Sequence, residues 1–293
     1  MKSNLFLIFL VVIVFGMVAP ASAAGFDWPK NAAPSEIVQA LRQEIYNLKT
    51  VIANMKSRTK IAAAAYLAVD LSGGKVLLQK NPGKSYPIAS VTKLMTAVVA
   101  LENIDIAEKI TLTKEMLSPY GSSPSFFAGA NISAKNLLRA SLIQSVNDAA
   151  ESLSYFLGKE KFLALMNQKA KELGMADTVY FDVTGLNPKN HSTAADMVKL
   201  LAYINKSHPE ILDITRDDNF WLPDAGGKLV KFLNVANFYY VPAFIGGKTG
   251  YLVEARQTFA GVFDVGGKPA AIVILRSDNY QSDVFKIIGQ LKK

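Results

Sequence analysis

The segment YPIASVTKLM, residues 86–95, places Ser90 three positions before Lys93 at the start of an apolar run. A four-position pattern with two free positions arises by chance about once or twice in a chain of this size. This chain holds three copies: Ser57–Lys60, Ser72–Lys75 and Ser90–Lys93. Context separates them. Ser57–Lys60 ends a heptad-patterned stretch with no apolar run behind it. Ser72–Lys75 straddles Gly73-Gly74 between two strand-like runs, so both pairs read as surface polar residues. Ser90 follows Pro87 and Ala89 and precedes LMTAVVALE, which predicts the N-terminus of a buried helix. Positions i and i+3 share a helix face, which brings the Lys93 amine toward the Ser90 hydroxyl. A helix N-terminus favours developing negative charge, and a lysine held in an apolar site near another cation loses its proton more easily. On this stretch alone two readings stand open: a nucleophile with its base, or a helix-capping serine with a snorkelling lysine.

Composition narrows the classes. The chain has 293 residues, 50% hydrophobic and 19% charged, a globular balance long enough for one large domain or two small ones. It has no cysteine, which excludes disulfides, thiolate catalysis and cysteine-ligated zinc. Its two histidines, His191 and His208, form no His-Glu-x-x-His, so a zinc hydrolase is disfavoured and neither metal nor cofactor is expected. The net charge of +8 suits an anionic cell wall or lipid surface, or serves solubility alone. The lysines are spread along the chain and no nucleic-acid motif occurs, so a nucleic-acid partner is not expected.

The first 28 residues read MKSNLFLIFLVVIVFGMVAPASAAGFDW. Lys2, a 15-residue apolar run from Leu5 to Ala19, and the small residues of Ala19-Pro20-Ala21 and Ala21-Ser22-Ala23 form the layout of a secretory signal over 1–23. The run is short against the roughly 20 residues that span a bilayer. Cleavage near Ala23, or an uncleaved membrane tether, both put the remainder in the periplasm or cell-wall space. Residues 24–59 read as a spacer. Within it Val38, Leu41, Ile45, Leu48, Ile52 and Met55 step by 3, 4, 3, 4 and 3, a heptad seam with Ser35 as N-cap. This helix, over 35–57, either self-associates or meets a partner helix, or packs back on the main domain.

From about residue 60 to 293 the pattern is α+β. AAAAYLAVDL and KVLLQK, joined at Ser72-Gly73-Gly74, predict a hairpin. Four helical segments follow, over 135–145, 147–158, 159–174 and 192–207. Strand signals return in AFIGGKTG, QTFAGVFDVG and KPAAIVILRS, with Gly266-Gly267 as a hairpin turn, and DVFKIIGQL predicts a last helix. Strands at both ends and helices between them suit a sheet whose first and last segments pair around an inserted helical lobe.

The company of Ser90 decides between its two readings. SVNDAA puts Ser145 and Asn147 between two predicted helices, and GGKTGY puts Lys248, Thr249 and Gly250 in a strand. The Ser-x-x-Lys, Ser-x-Asn, Lys-Thr-Gly set occurs in this order in penicillin-binding proteins and serine β-lactamases. A literal SDN at Ser277–Asn279 follows Lys-Thr-Gly and the last strand, and is set aside. With ASVTKLMTA, TGLNPKNHSTAADM and IGGKTGY, residues 60–290 resemble the low-molecular-mass penicillin-binding proteins of the D-alanyl-D-alanine carboxypeptidase/endopeptidase family, peptidase family S11.

The resemblance implies a β-lactamase/transpeptidase-like fold, with an antiparallel sheet of about five strands flanked by helices. It implies attack by Ser90 on the carbonyl between two D-alanines of a peptidoglycan stem peptide, with Lys93 as base. Ser145 relays a proton to the leaving amine and Asn147 holds the substrate amide. Lys248 and Thr249 meet the substrate carboxylate, and the backbone N–H groups of Ser90 and Tyr251, beside Gly250, form an oxyanion hole. Gly246 and Gly247 are expected to leave room for substrate along the strand edge. β-Lactams are expected as covalent inhibitors. No Glu-x-x-Leu-Asn stretch for deacylation is found, since Glu160 and Asn167 have the wrong spacing. His191 is expected in a loop or cap, and His208 at the surface. Two departures point from carboxypeptidase toward endopeptidase. The residues after the last strand do not accommodate the extra C-terminal domain of many carboxypeptidases. Tyr280-Gln281-Ser282-Asp283 also stands where these often carry an arginine, leaving Arg256 or Arg276 as substitutes. Carboxypeptidase, the commoner activity of the family, stays ahead of endopeptidase, and a non-catalytic wall-binding or penicillin-sensing protein is the remaining alternative.

Overall fold

A computed structural model describes residues 38–39, 41–49, 61–117 and 123–291. The expected signal over 1–23 lies outside the described residues. The chain divides into two compact units, residues 1–41 and 42–293.

The strands, in chain order, are β1 (Ala65–Asp70), β2 (Val76–Lys80), β3 (Tyr86–Pro87), β4 (Lys109–Thr111), β5 (Asn131–Ser133), β6 (His191–Ser192), β7 (Asn219–Pro223), β8 (Leu229–Leu233), β9 (Phe244–Leu252), β10 (Arg256–Asp264) and β11 (Pro269–Ser277). The helices of the main unit are α1 (Lys93–Asn103), α2 (Ala134–Ile143), α3 (Asn147–Tyr155), α4 (Lys159–Glu172), α5 (Ala194–Ser207), α6 (Pro209–Arg216) and α7 (Tyr280–Leu291). A five-stranded antiparallel sheet runs β2-β1-β11-β10-β9, so the first hairpin pairs with the last strand. Everything between β2 and β9 is the inserted lobe.

The central strands are apolar on both faces because both faces are covered. Along β11, Ile272 and Ile274 join one buried cluster while Val273 and Leu275 join the other. This is the period-two alternation of a strand, with each side meeting its own layer. One layer is α7, through Val284, Ile287 and Ile288, together with a knot of aromatic rings. Phe238 sits at its centre, with Phe244, Phe259, Phe263, Tyr280 and Phe285 within 5.8 Å between centroids. Burying each such ring stabilises the fold by about 2–3 kcal/mol relative to exposing it. The other layer is α5 and the helical lobe, with Leu94, Val98, Leu138, Leu142, Leu153 and Met166 fully covered.

Local chemistry sets the element ends. The Ser133 and Thr193 hydroxyls accept the N–H groups of Asn136 and Asp196, capping α2 and α5. The Gly266-Gly267 turn has φ of 66° and 80°, the left-handed region that favours glycine. The set-aside Ser277 is buried. Its hydroxyl donates to Asp283, whose carboxylate also accepts the N–H groups of Ala62 and Ala63, tying the domain's first residues to α7.

Three expectations change. His191 stands in β6 paired with Pro87 of β3, not in a loop. His208 is only 15% exposed at its side chain, between Glu102 and Glu210 and edge-on to Tyr203. Gly246 and Gly247 make room for protein, not substrate. A Cβ at Gly246 would lie 2.4 Å from the Leu212 carbonyl oxygen of α6, and one at Gly247 would lie 2.5 Å from Gly261 Cα of β10. The hairpin β7–β8 and helix α6 are additions that the sequence pattern did not supply.

Residues 41–49 are helical and packed on the main unit from Arg42 onward. Arg42 pairs with Asp218 at 3.2 Å, Lys49 bonds to the Tyr240 hydroxyl, and Tyr46 packs on the α7-side cluster. Ile45 and Leu48, of the heptad seam, stay exposed. Among the described residues no helix is long and apolar enough to cross a membrane.

Gly246→Ala is expected to force α6 off β9 and lower unfolding free energy by about 1–3 kcal/mol, the cost of overpacking. Urea denaturation with an unchanged m-value would show it, and an unchanged midpoint would contradict the close packing of α6 on β9.

Candidate active site

Ser90 lies in a short 3-10 helix, Ala89–Thr92, that runs into α1. Lys93 is the first residue of α1 and is fully buried. Its Nζ stands 2.9 Å from Ser90 Oγ, 2.8 Å from Asn147 Oδ1 and 2.6 Å from the Thr184 carbonyl oxygen. The amine donates to all three oxygens, and loss of one proton would leave a lone pair able to accept from the Ser90 hydroxyl. Burial is the main cause that holds the Lys93 amine well below the usual lysine range, and the nearby Lys248 charge adds to it. Asp182 opposes both.

Lys248 lies mid-strand in β9 and is also buried; burial lowers its pKa to about 7. Its amine donates to the Thr249 carbonyl at 3.0 Å. Thr249, Gly250 and Tyr251 continue along β9 into a cleft of ≈ 410 Å³, where Ser90 and Ser145 form the facing wall. Gly250 permits this approach, since a Cβ there would lie 2.8 Å from the Ile88 carbonyl and 2.9 Å from Ser90 N. Of the sequence-selected residues, Ser90, Ser145, Thr249, Gly250 and Tyr251 line the cleft, Lys93 and Lys248 are buried, and Asn147 is half-buried against Lys93.

The backbone around the nucleophile is held out of its preferred regions. Ala89 has φ 48° and Ser145 φ 62°, in the left-handed region where non-glycine residues are uncommon and strained. Sequence reading missed what enforces this. The Asp182 carboxylate accepts the N–H groups of Thr184, Gly185 and Asn187, curling the chain so that the Thr184 carbonyl meets Lys93. Asn190, fully buried, donates to Asp182 and to Thr92 Oγ1 and accepts from Phe181 and Asp182 N–H. Gly185, at φ 86°, lets this loop touch the Ala89–Ser90 peptide; a Cβ would lie 2.0 Å from the Ala89 oxygen. The only advance signal was Asp-x-Thr-Gly, a turn-forming composition.

Four further residues complete the cleft: Val235, Asn237, Gln257 and Tyr280. Asn234 fastens the 234–237 loop by donating to the Thr215 and Asp217 carbonyls, and Val235 N–H donates to Ile143 oxygen. Neither candidate arginine lines the cleft. Arg256 pairs with Asp278 at 2.7 Å and Arg276 donates to the Glu254 carbonyl. Asn167 serves structure, since its side chain exchanges hydrogen bonds with the backbone of Tyr180.

Comparison with known proteins gives the family. Residues 52–279 match the D-alanyl-D-alanine carboxypeptidase family, peptidase family S11. The chain belongs to this family. It is 33% identical over 243 residues to the D-alanyl-D-alanine endopeptidase of Escherichia coli (strain K12), a match covering 78% of this chain and 75% of that one. It is 31% identical over 229 residues to the D-alanyl-D-alanine carboxypeptidase DacF of Bacillus subtilis (strain 168), covering 72% of this chain and 57% of that one. The crystal structure of penicillin-binding protein D2 from Listeria monocytogenes in its cefotaxime-bound form superposes with a TM-score of 0.70 at 29% identity, over 80% of this chain and 99% of that one. The S11 family membership and the α+β fold with its five-stranded sheet agree with one another.

The buried amines couple stability to pH. The folded Lys248 holds its proton only below about pH 7, whereas an unfolded lysine holds it up to 10.5, so between these values the unfolded chain binds more protons. Unfolding free energy is therefore expected to rise with pH from about 7 toward about 10. A Lys248→Met variant is expected to show a shallower rise in urea titrations across that window. Equal slopes would contradict a depressed Lys248.

Proposed function

We propose that this protein is a penicillin-sensitive serine D,D-peptidase that trims D-Ala-D-Ala from peptidoglycan stem peptides. The observation that carries this reading is the buried Lys93 amine 2.9 Å from Ser90 Oγ, held by burial well below the usual lysine range. Ser90 Oγ attacks the carbonyl carbon between the two D-alanines and passes its proton to Lys93 Nζ. The Ser90 and Tyr251 N–H groups face the oxyanion, and such donors contribute on the order of 3 kcal/mol each in the transition state. The C–N bond then breaks, and the leaving amine takes a proton through Ser145. Asn147 fixes the Lys93 amine and the substrate amide. Lys248 and Thr249 receive the terminal carboxylate. Water adds to the acyl-enzyme, giving the shortened peptide and free Ser90. A β-lactam enters by the same attack, but its ring-opened product stays tethered and leaves slowly. Residues 1–23 act as the export signal in this reading, because the substrate lies in the periplasm or cell-wall space.

A second reading, cleavage of peptidoglycan cross-bridges, is favoured by the cleft lining. Val235, Asn237, Gln257 and Tyr280 supply no fixed positive charge for a free chain end. The Escherichia coli relative carries an endopeptidase name.

Intact mass of the secreted protein after penicillin treatment is the test. The expected result is one stable adduct on the parent and none on Ser90→Ala, and the same spectrum reads whether 1–23 is removed. A folded parent with no adduct would favour a non-catalytic wall-binding protein instead. Incubation with a pentapeptide monomer and with a cross-linked dimer then separates the readings: free D-alanine marks the carboxypeptidase, and conversion of dimer to monomers marks the endopeptidase.

We also propose that the seam within 35–57 pairs with a second copy of the chain, since Ile45 and Leu48 remain exposed. Ile45→Glu with Leu48→Glu is expected to convert a dimer to a monomer in sedimentation velocity. A parent that is already monomeric would refute it.

A further inference from the structure

The hairpin β7–β8 has two unlike faces. Inward, Phe220, Leu222 and Phe232 are buried; Phe232 stacks on Phe220 at 4.7 Å and meets Phe126 edge-on at 5.8 Å. Outward, the paired residues are Pro223 with Leu229, Trp221 with Lys231, and Asn219 with Leu233. Trp221 is 52% exposed and Leu233 56% exposed. Lys231 Nζ sits 5.6 Å from the Trp221 ring centre. An indole laid open on a rigid hairpin, with an ammonium beside it, departs from the usual burial of large aromatic residues.

The face is continuous with the cleft. Leu233 N–H donates to Gln144 Oε1 and Val235 N–H to Ile143 oxygen, which binds the base of the hairpin to the residues just before Ser145. Val235, 37% exposed, is itself a cleft wall. The exposed Trp221, Leu233 and Val235 thus lie on the hairpin and on the loop that leads from it to the cleft. Trp221 lies opposite Lys231, two residues before β8 ends at Leu233 and four before Val235, a separation of at most roughly 14 Å. A stem peptide of three or four extended residues spans roughly 10–14 Å. A stem peptide that leaves the cleft past Val235 therefore carries its sugar toward the hairpin.

We propose that the outer face of β7–β8, centred on Trp221 with Lys231 and Leu233, is a binding platform for the saccharide chain of peptidoglycan. This inference rests on the D,D-peptidase reading for the identity of its ligand. The flat apolar face of a pyranose ring stacks on the indole, and the hairpin lysines meet acetamido oxygens and the carboxylates of the stem. The platform raises the local concentration of polymeric substrate at the cleft and contributes nothing to the chemistry at Ser90.

The test uses the full chain in a Ser90→Ala background, so that substrate is bound and not consumed. Co-sedimentation is measured with insoluble peptidoglycan, peptide-stripped glycan strands and anionic lipid vesicles. Trp221→Ala is expected to weaken binding to stripped glycan by about ten-fold, and Trp221→Phe to retain part of it. With Ser90 intact, Trp221→Ala is expected to leave the rate of penicillin acylation and the turnover of a short D-Ala-D-Ala peptide unchanged. Glycan binding equal to the parent's would overturn the inference. So would an equal loss of acylation, which marks a structural role, or a loss confined to vesicles, which marks a membrane surface. Absence of acylation in the Trp221-intact parent is a separate result; it removes the peptidase reading and leaves the glycan measurement to be judged alone.

Discussion

Two primary amines buried in one site constrain everything around them. Among the described residues, the hydrogen bonds of Lys93 and Lys248 go to a hydroxyl, an amide oxygen and backbone carbonyls. A charged amine without a paired carboxylate is costly in a protein interior, and the group discharges instead. A neutral lysine at neutral pH can accept a proton from a hydroxyl in contact with it, which an exposed lysine cannot do. The large apolar layer of the lobe is thus part of the chemistry, because it excludes the water that would keep Lys93 protonated. Asp182 could have neutralised this effect. Its carboxylate is instead occupied by the N–H groups of Thr184, Gly185 and Asn187, which spread its charge into a turn.

Positioning follows from the same need. A proton moves only across a hydrogen bond, so the Ser90 hydroxyl has to be held at the Lys93 amine from several sides. The strained Ala89 and Ser145, and the close backbone approach at Gly185 and Gly250, do this. Residues in sparsely populated conformations cost about 1–3 kcal/mol each. The sheet and the α5 layer over-determine the fold enough to hold them.

Much of this was legible before any coordinates. Ser90, Lys93, Ser145, Asn147 and Lys248–Tyr251 lie in short local motifs, and the apolar runs that flank these motifs placed them at a helix start, between two helices and in a strand. The flanking strands were equally readable, because β1, β10 and β11 are apolar runs ended by glycine turns. What escaped was contributed by tertiary contact. Thr184 acts through a backbone carbonyl, which leaves no trace in residue type. Gly246 and Gly247 invited a substrate explanation because sequence does not reveal that α6 and β10 press against them. The hairpin β7–β8 was missed although Phe220, Leu222 and Phe232 alternate with outward residues. Its outward face carries Trp221, Leu229 and Leu233, which blurs the polar side of the pattern.

The central claim is that burial holds the Lys93 amine well below the usual lysine range, and its titration can be read directly. Lysines carrying 13C at Cε are followed by NMR across pH, with the Lys93 resonance assigned by its loss in Lys93→Arg. The account predicts a midpoint well below the 10.5 of a free lysine. An ammonium shift that persists to about pH 10, as in a free lysine, would contradict it and leave Ser90 without a base.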